Sequence, residues 1–285
     1  MKKRSFVAIL LILSVVLVLS LTACSGMFGN SEPSRYYIDI GQVDDARVAS
    51  IVANNTISSR VRIIANYKKN GIVVATSASS GFIISEDGYV ITNRHCVIRY
   101  STTNSDTPQF SSDKPMASDY SVVFVDNKEY SASLVAWSTA ADIAVLKIEL
   151  GNNPLVQKPT FEPLVLETQK ELYYGQRVYT IGNPENMGLI FTELTIASPA
   201  MRLNKNDDFD SIVLDGNINH GNSGGPILNS YSRVSGLVYA RIDGSNKDTY
   251  GIGCAIPASE VVSFLDSLQV TINYKTTPDS ASSGN

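Results

Sequence analysis

The sequence predicts an all-β fold, a barrel or a sandwich, for the middle of the chain. Three observations carry that expectation. Short strand-like runs recur at roughly even spacing between residues 61 and 256. Turn-forming clusters such as Lys69-Asn70-Gly71, Glu86-Asp87-Gly88 and Asp126-Asn127 separate them. Helical periodicity is confined to two short segments. Many short strands punctuated by turn residues belong to sheets closed by tight connections.

The elements follow in chain order. Lys2, Lys3 and Arg4 precede an uncharged, almost wholly apolar run over residues 6–21. A basic start, an apolar stretch and a small-residue end form a secretory signal. The run closes on Leu21-Thr22-Ala23-Cys24, which resembles the lipobox of bacterial lipoproteins, with Cys24 as the acylated new N-terminus. An uncleaved anchor is the alternative, but residues 6–21 are near the lower limit for spanning a bilayer. Either way the globular part is expected outside the cytoplasmic membrane. Residues 1–23 hold three positive and no negative groups, so the formal charge of −4 becomes −7 without them. An acidic surface lacks the basic stripe that nucleic acid requires.

Residues 24–46 read as a polar tether. A short helix is expected over 46–57, with Asp44 or Asp45 as its cap. Strands are expected over 61–67, 72–76, 81–84, 89–92, 121–125, 143–148, 177–181, 212–214, 234–238 and 253–256. Residues 101–118, rich in Ser, Thr and Asp, form a long surface loop. A helix over 257–268 starts at Pro257 and carries an apolar stripe of Val261, Val262, Phe264, Leu265 and Leu268. Residues 275–285 are expected to be a disordered tail. The folded domain is thus placed at 47–274.

Cys24 aside, the cysteines are Cys96 and Cys254. One disulfide is possible, but both lie in apolar strand-like contexts that suit small buried thiols. With two histidines and no zinc-type spacing, neither a metal nor a cofactor is expected.

Chemistry concentrates in Gly221-Asn222-Ser223-Gly224-Gly225-Pro226. Glycines around a serine permit a sharp turn and bring backbone N–H groups near a substrate carbonyl, though Gly-rich turns are common. The segment also fits the nucleophile elbow of α/β-hydrolases. That fold needs a histidine after the serine, and none follows His220. An upstream base remains: His95, in Ile91-Thr92-Asn93-Arg94-His95-Cys96-Val97 just after a strand. His220 lies only three residues before Ser223, where its ring is better placed to line a cleft than to take the serine proton. Asp142 opens Asp142-Ile143-Ala144-Val145-Leu146-Lys147-Ile148. It is either an ordinary strand-start aspartate or the acid that orients His95. Each element alone is ambiguous, but the three appear in the order His, Asp, Ser found in one of the known triad solutions.

Those blocks resemble the HtrA/DegP branch of the chymotrypsin-fold serine proteases. The matching segments are Asp87-Gly88-Tyr89-Val90-Ile91-Thr92-Asn93 leading into His95, the Asp142 block, the Ser223 block and Tyr250-Gly251-Ile252-Gly253-Cys254-Ala255-Ile256-Pro257. The resemblance covers about residues 59–270. It implies two six-stranded antiparallel β-barrels, about 59–150 and 161–256, with a C-terminal helix and the site between the barrels. It implies a catalytic triad of His95, Asp142 and Ser223, an oxyanion hole from the N–H groups of Gly221 and Ser223, protein or peptide substrates, and a homo-oligomer.

The sequence departs from that branch in three ways. Only a short tail follows the last helix, too short for a PDZ domain. His220 stands where proline is usual, so it is expected at the rim of the primary specificity pocket. Residues 101–118 lengthen the segment between His95 and Asp142. By position Asn217 should lie at the pocket base, with Val238, Tyr239 and Ala240 lining its wall and pairing with the substrate backbone. Without an acid at 217, cleavage after Lys or Arg is disfavoured. Small or medium aliphatic residues are expected, with Glu the outsider. The competing readings are a catalytically silent or latent protease-fold binding module with chaperone character, and a purely structural surface lipoprotein.

Overall fold

The structure, a computed structural model, describes residues 45–277 apart from 70, 99–117, 139, 152–158, 184–186, 204–207 and 242–250. The signal and lipobox, most of the tether and nearly all of the 101–118 loop lie outside the described residues.

Six strands form the first barrel: β1 (Arg60–Lys69), β2 (Ile72–Ile83), β3 (Tyr89–Asn93), β4 (Ser118–Val123), β5 (Glu129–Trp137) and β6 (Ile143–Ile148). They close in the order β1-β2-β3-β6-β5-β4, all antiparallel. Alternation fills the interior: Val61, Ile63, Ala65 and Tyr67 of β1 are buried, and the residues between them are less so. Inward and outward positions along a strand differ by one residue, so one face of β1 supplies the barrel core.

The second group is β7 (Val165–Leu166), β8 (Arg177–Gly182), β9 (Ile190–Met201), β10 (Ser211–Asp215), β11 (Pro226–Leu228), β12 (Val234–Arg241), β13 (Ile252–Pro257) and β14 (Lys275–Thr276). Strands β11-β8-β9-β10-β13-β12 form a second six-stranded antiparallel barrel, closed by pairing β11 with β12. The short β7 adds to β12, and β14 to β7, both in parallel. The all-β fold of two six-stranded barrels and one C-terminal helix is therefore present.

Between the barrels lies a third apolar layer. Ile91, Ile143 and Val145 point there from the first barrel, and Tyr179, Leu228, Leu237 and Ile256 from the second. Helix α1 (Asp45–Thr56) contributes Val48 and Val52 to it. Strand β6 is buried on both faces, Ala144, Leu146 and Ile148 facing the barrel interior and Ile143 and Val145 the seam. That double burial is why its sequence is a nearly continuous apolar run. Arg60, fully buried, crosses the seam and donates from Nη1 to the carbonyl of Ile181 at 2.9 Å. Burial pushes its pKa well below the usual 12.5.

Several local expectations differ from the structure. Residues 72–76 and 81–84 belong to one strand, β2. The expected runs leave out β5, β7, β9, β11 and β14. Asp45 is the first residue of α1 rather than its cap, and Asp44 lies outside the described residues. The C-terminal helix, α3, spans Ala258–Asp266, with Pro257 at its N-cap. The tail expected from 275 begins with chain that belongs to the domain. Thr277 is buried, its N–H bonds the carbonyl of Leu166 at 3.0 Å, and its hydroxyl donates to Glu167 at 2.9 Å. Both cysteines are buried and free. Burial pushes the Cys254 thiol up to about 11.

Candidate active site

His95 is held where β3 runs into a single helical turn, α2 (Arg94–Val97). Asp142 meets it from the turn before β6. Asp142 adopts φ +50°, a left-handed conformation that a non-glycine residue keeps only when its surroundings impose it. Four hydrogen bonds do so here. The Asp142 carbonyl accepts from the N–H of Arg94 at 3.1 Å and from Asn93 Nδ2 at 3.0 Å. Its Oδ1 accepts the N–H of His95 at 3.0 Å, and its Oδ2 lies 2.6 Å from His95 Nδ1. A carboxylate facing Nδ1 only accepts, so the neutral ring carries its proton on Nδ1 and its lone pair on Nε2.

Ser223 sits in the tight connection between β10 and β11. Gly221 and Gly224 both have positive φ, +94° and +84°. At Gly224 a Cβ would overlap the Ser80 carbonyl and the Thr92 hydroxyl, so only glycine fits. The N–H groups of Asn222, Gly224 and Gly225 bond the carbonyls of Asn219, Val238 and Asn222 at 3.1, 2.9 and 2.9 Å. Among the described residues, the N–H groups of Gly221 and Ser223 have no such acceptor. The two amides expected at the oxyanion hole are thus the two that this stretch of loop does not use.

Ser80, in the middle of β2, fastens this loop to the first barrel. Its N–H donates to the Ser223 carbonyl at 2.9 Å, and its hydroxyl donates to the Gly221 carbonyl at 2.7 Å. The same hydroxyl accepts the N–H of Asn183 at 2.8 Å, while the Ser80 carbonyl accepts the Thr92 hydroxyl at 2.8 Å. Sequence reasoning missed Ser80. Its one signal is a run of small residues, Ser77-Ala78-Ser79-Ser80, inside a strand that is apolar at its ends.

Among the described residues, no hydrogen bond joins His95 Nε2 to the Ser223 hydroxyl. The polar neighbour of Nε2 is Cys96 Sγ at 3.6 Å, and that sulfur is 3.8 Å from the Ser223 carbonyl oxygen. Burial opposes a charge on the ring, although 44% of the side-chain surface stays open. A thiolate at Cys96 and the hydrogen bond with Asp142 outweigh that and push the pKa up from 6.5 to about 11. When Cys96 is a neutral thiol its charge is absent, and the upward pull is left to Asp142.

The expected specificity residues fall into two places. Asn217 and Asn219 are exposed on either side of buried Ile218, which packs against Gly253. Asn217 lines an open cavity of about 410 Å³ with Met187, Phe191, Glu193 and Asn222. Val238, Tyr239 and Ala240 are not part of that lining. His220 is exposed in the turn before Gly221. The expectation for Val238 needs correction. Its side chain is fully buried in the second barrel, and its N–H and carbonyl are taken by Gly225 and Gly224 at 2.9 Å each, so none of it remains for substrate. Tyr239 directs its hydroxyl to Ser211 Oγ at 2.9 Å. Ala240 pairs with Cys254 in β13. Among the described residues no cluster of His, Cys, Asp and Glu could hold a metal ion.

Two closed barrels, a carboxylate-bound histidine on one and a glycine-framed serine on the other, define the two-barrel class of serine hydrolases. The chain belongs to the trypsin-like peptidase domain family, whose model matches residues 79–237. Among its relatives, a probable periplasmic serine endoprotease DegP-like of Hahella chejuensis is 29% identical over 208 residues, covering 72% of this chain and 38% of that protein. A protein of the same description from Chlamydia muridarum is 33% identical, covering 66% and 33%. Serine endoprotease DegS of Salmonella typhimurium is 32% identical, covering 66% and 47%. The chain spans less than half the length of each. The solved structure of the Rv3671c protease from M. tuberculosis shares the fold, with a TM-score of 0.60, 24% identity, and coverage of 80% of this chain and 88% of that one.

Proposed function

We propose that this chain is an HtrA-like serine endopeptidase that acts outside the cytoplasmic membrane on unfolded or exposed protein segments. The observation that carries the reading is the 2.6 Å pairing of His95 Nδ1 with Asp142, which leaves Nε2 as the base at the seam where Ser223 lies. Ser223 Oγ attacks the peptide carbonyl and His95 Nε2 takes its proton. His95 then gives that proton to the leaving amine, and Asp142 stabilises the imidazolium between the two steps. The unused N–H groups of Gly221 and Ser223 hold the negative oxygen of the tetrahedral intermediate, an effect of about 3–4 kcal/mol per donor.

The relatives named as periplasmic proteases support a location beyond the membrane, and the basic-apolar start of the sequence agrees with export. Acylation of Cys24 would then tether the domain to a membrane, near the envelope proteins it degrades. Asn217, neutral where an acid would draw Lys or Arg, favours aliphatic side chains at the cleaved position.

Reaction of the purified protein with a fluorophosphonate probe tests the reading. Labelling of the native chain is expected, with none in Ser223→Ala. Peptide hydrolysis that persists in Ser223→Ala would remove Ser223 from its role.

A further inference from the structure

Cys96 has no part in the mechanism above, yet it touches both of its reacting residues. Its thiol is buried, 3.6 Å from His95 Nε2 and 3.8 Å from the Ser223 carbonyl, within the reach of a sulfur hydrogen bond to either. A neutral thiol has one proton to give, and neutral Nε2 has one lone pair to receive it. The same lone pair is the one Ser223 needs. The absence of a Ser223 to His95 hydrogen bond among the described residues fits a ring whose lone pair is already engaged.

We infer that Cys96 is a positioning residue that holds His95 Nε2 in the resting site, so that the thiol must release the ring before Ser223 can be activated. This rests on the reading of Ser223 as the nucleophile.

The backbone around the thiol is fixed. The Cys96 carbonyl accepts Tyr67 Oη at 3.2 Å and Ser77 Oγ at 3.1 Å, and the His95 N–H is tied to Asp142. The exchange therefore needs no movement of α2. Turning the S–H bond from Nε2 toward the Ser223 carbonyl frees the lone pair. Among the described residues, the charged or titratable groups that act on the ring are Asp142 from the β5–β6 turn, and Arg94 and Cys96 on its own element. Arg94 acts through Asp142 Oδ1, 3.8 Å from its Nε. The second barrel presents Ser223.

The test compares Cys96→Val, which keeps the volume, and Cys96→Ala, which leaves a void, with the full native chain. Both variants are expected to react with a fluorophosphonate about three- to tenfold faster at pH 7, the scale of one weak hydrogen bond. The gain should appear in kcat for peptide hydrolysis, with KM little changed. A residue that merely packs would give slower labelling, worse for Ala than for Val. Slower or equal rates in both variants would overturn the assignment. If neither native chain nor variants label, the nucleophile reading fails and NMR titration of the His95 ring decides. Final deprotonation at higher pH in Cys96→Val supports the assignment, because a thiol that donates to Nε2 favours the neutral ring, and an unmoved or lowered titration overturns it.

Discussion

The hydroxyl of Ser80, in the first barrel, donates to the carbonyl of Gly221, in the Ser223 loop of the second, at 2.7 Å. The two residues are 141 positions apart, so the loop takes its shape from a strand folded elsewhere in the chain. Together with the Ser80 N–H on the Ser223 carbonyl, this bond fixes the loop at both ends of Gly221-Asn222-Ser223. An oxyanion hole works only if its donors are in place before the charge develops. If the Gly221 and Ser223 amides act as proposed, Ser80 supplies that order from across the seam.

Ser80→Ala should therefore impair turnover more than binding. It leaves the Gly221 carbonyl with only the longer 3.3 Å bond from Asn183, and it removes an acceptor from that same N–H. A buried polar group short of a partner costs about 1–3 kcal/mol. The expected outcome is kcat lowered about ten- to hundredfold with KM little changed, measured by steady-state hydrolysis of a peptide. An unchanged kcat would mean that Ser80 only joins the barrels.

Asp142→Asn isolates charge and tautomer from backbone geometry. At φ +50° asparagine is nearly as comfortable as aspartate, so the turn before β6 should survive. An amide can present its NH₂ to His95 Nδ1 and place the ring proton on Nε2, the wrong nitrogen for a base. Peptide hydrolysis should fall about ten-thousandfold, while the melting temperature moves by no more than a few degrees. A large drop in Tm would show that the carboxylate is needed for the fold as well.

How far the sequence reveals this molecule depends on the range of each contact. Strand β6 is legible because both its faces are buried, and β3 because a glycine turn opens it. Strand β5 hides because its residues are half-buried or exposed throughout, and β9 because a polar residue, Ser198, takes an inward position and Pro199 follows it. His95 and Ser223 could be picked out by chain order, and Asp142 by the family pattern around it. Ser80 and the Cys96 thiol could not, since their roles come from contacts 141 and 127 positions away that no local pattern encodes. Val238 was placed at the pocket wall by its position in the family pattern, and that pattern does not show that its backbone is bound to Gly224 and Gly225.

Glu167 gives the fold an acid-sensitive point away from the candidate site. Its carboxylate is buried and accepts the N–H groups of Gln169 and Lys170, at 3.1 and 3.2 Å, and the hydroxyl of Thr277. Burial pulls its pKa up, but the hydrogen bonds from Gln169 and Thr277 and the nearby Arg233 outweigh it and hold it below 4.5. A depressed carboxylate contributes stability that is present above its unfolded pKa and is lost as pH falls through the folded one. The native Tm should therefore drop as pH is lowered below about 4.5. In Glu167→Gln it should start lower, by the equivalent of about 1–3 kcal/mol, and lose less over the same range. Parallel curves for the two proteins would exclude Glu167 as a source of the acid sensitivity.

Gly224→Ala should damage the fold as well as the site, and a second glycine separates the two causes. Gly224 has φ +84°, and Gly175 has nearly the same conformation at +77°. Nothing lies within 4 Å of a Cβ built on Gly175, whereas one on Gly224 would overlap the Ser80 carbonyl and the Thr92 hydroxyl. Neither neighbour can yield, since the Thr92 hydroxyl is bonded to that carbonyl and the Gly224 N–H to Val238. Gly175→Ala therefore reports the conformational cost alone, about 1–2 kcal/mol. Gly224→Ala adds steric overlap in a packed interior, a further 1–3 kcal/mol or about that. It should also push the nucleophile loop away from β2 and cut fluorophosphonate labelling at least a hundredfold, while Gly175→Ala labels at the native rate. Chemical denaturation and labelling of the two variants side by side measure both quantities. Equal losses of stability would mean that the seam around Ser80 is looser than these contacts require.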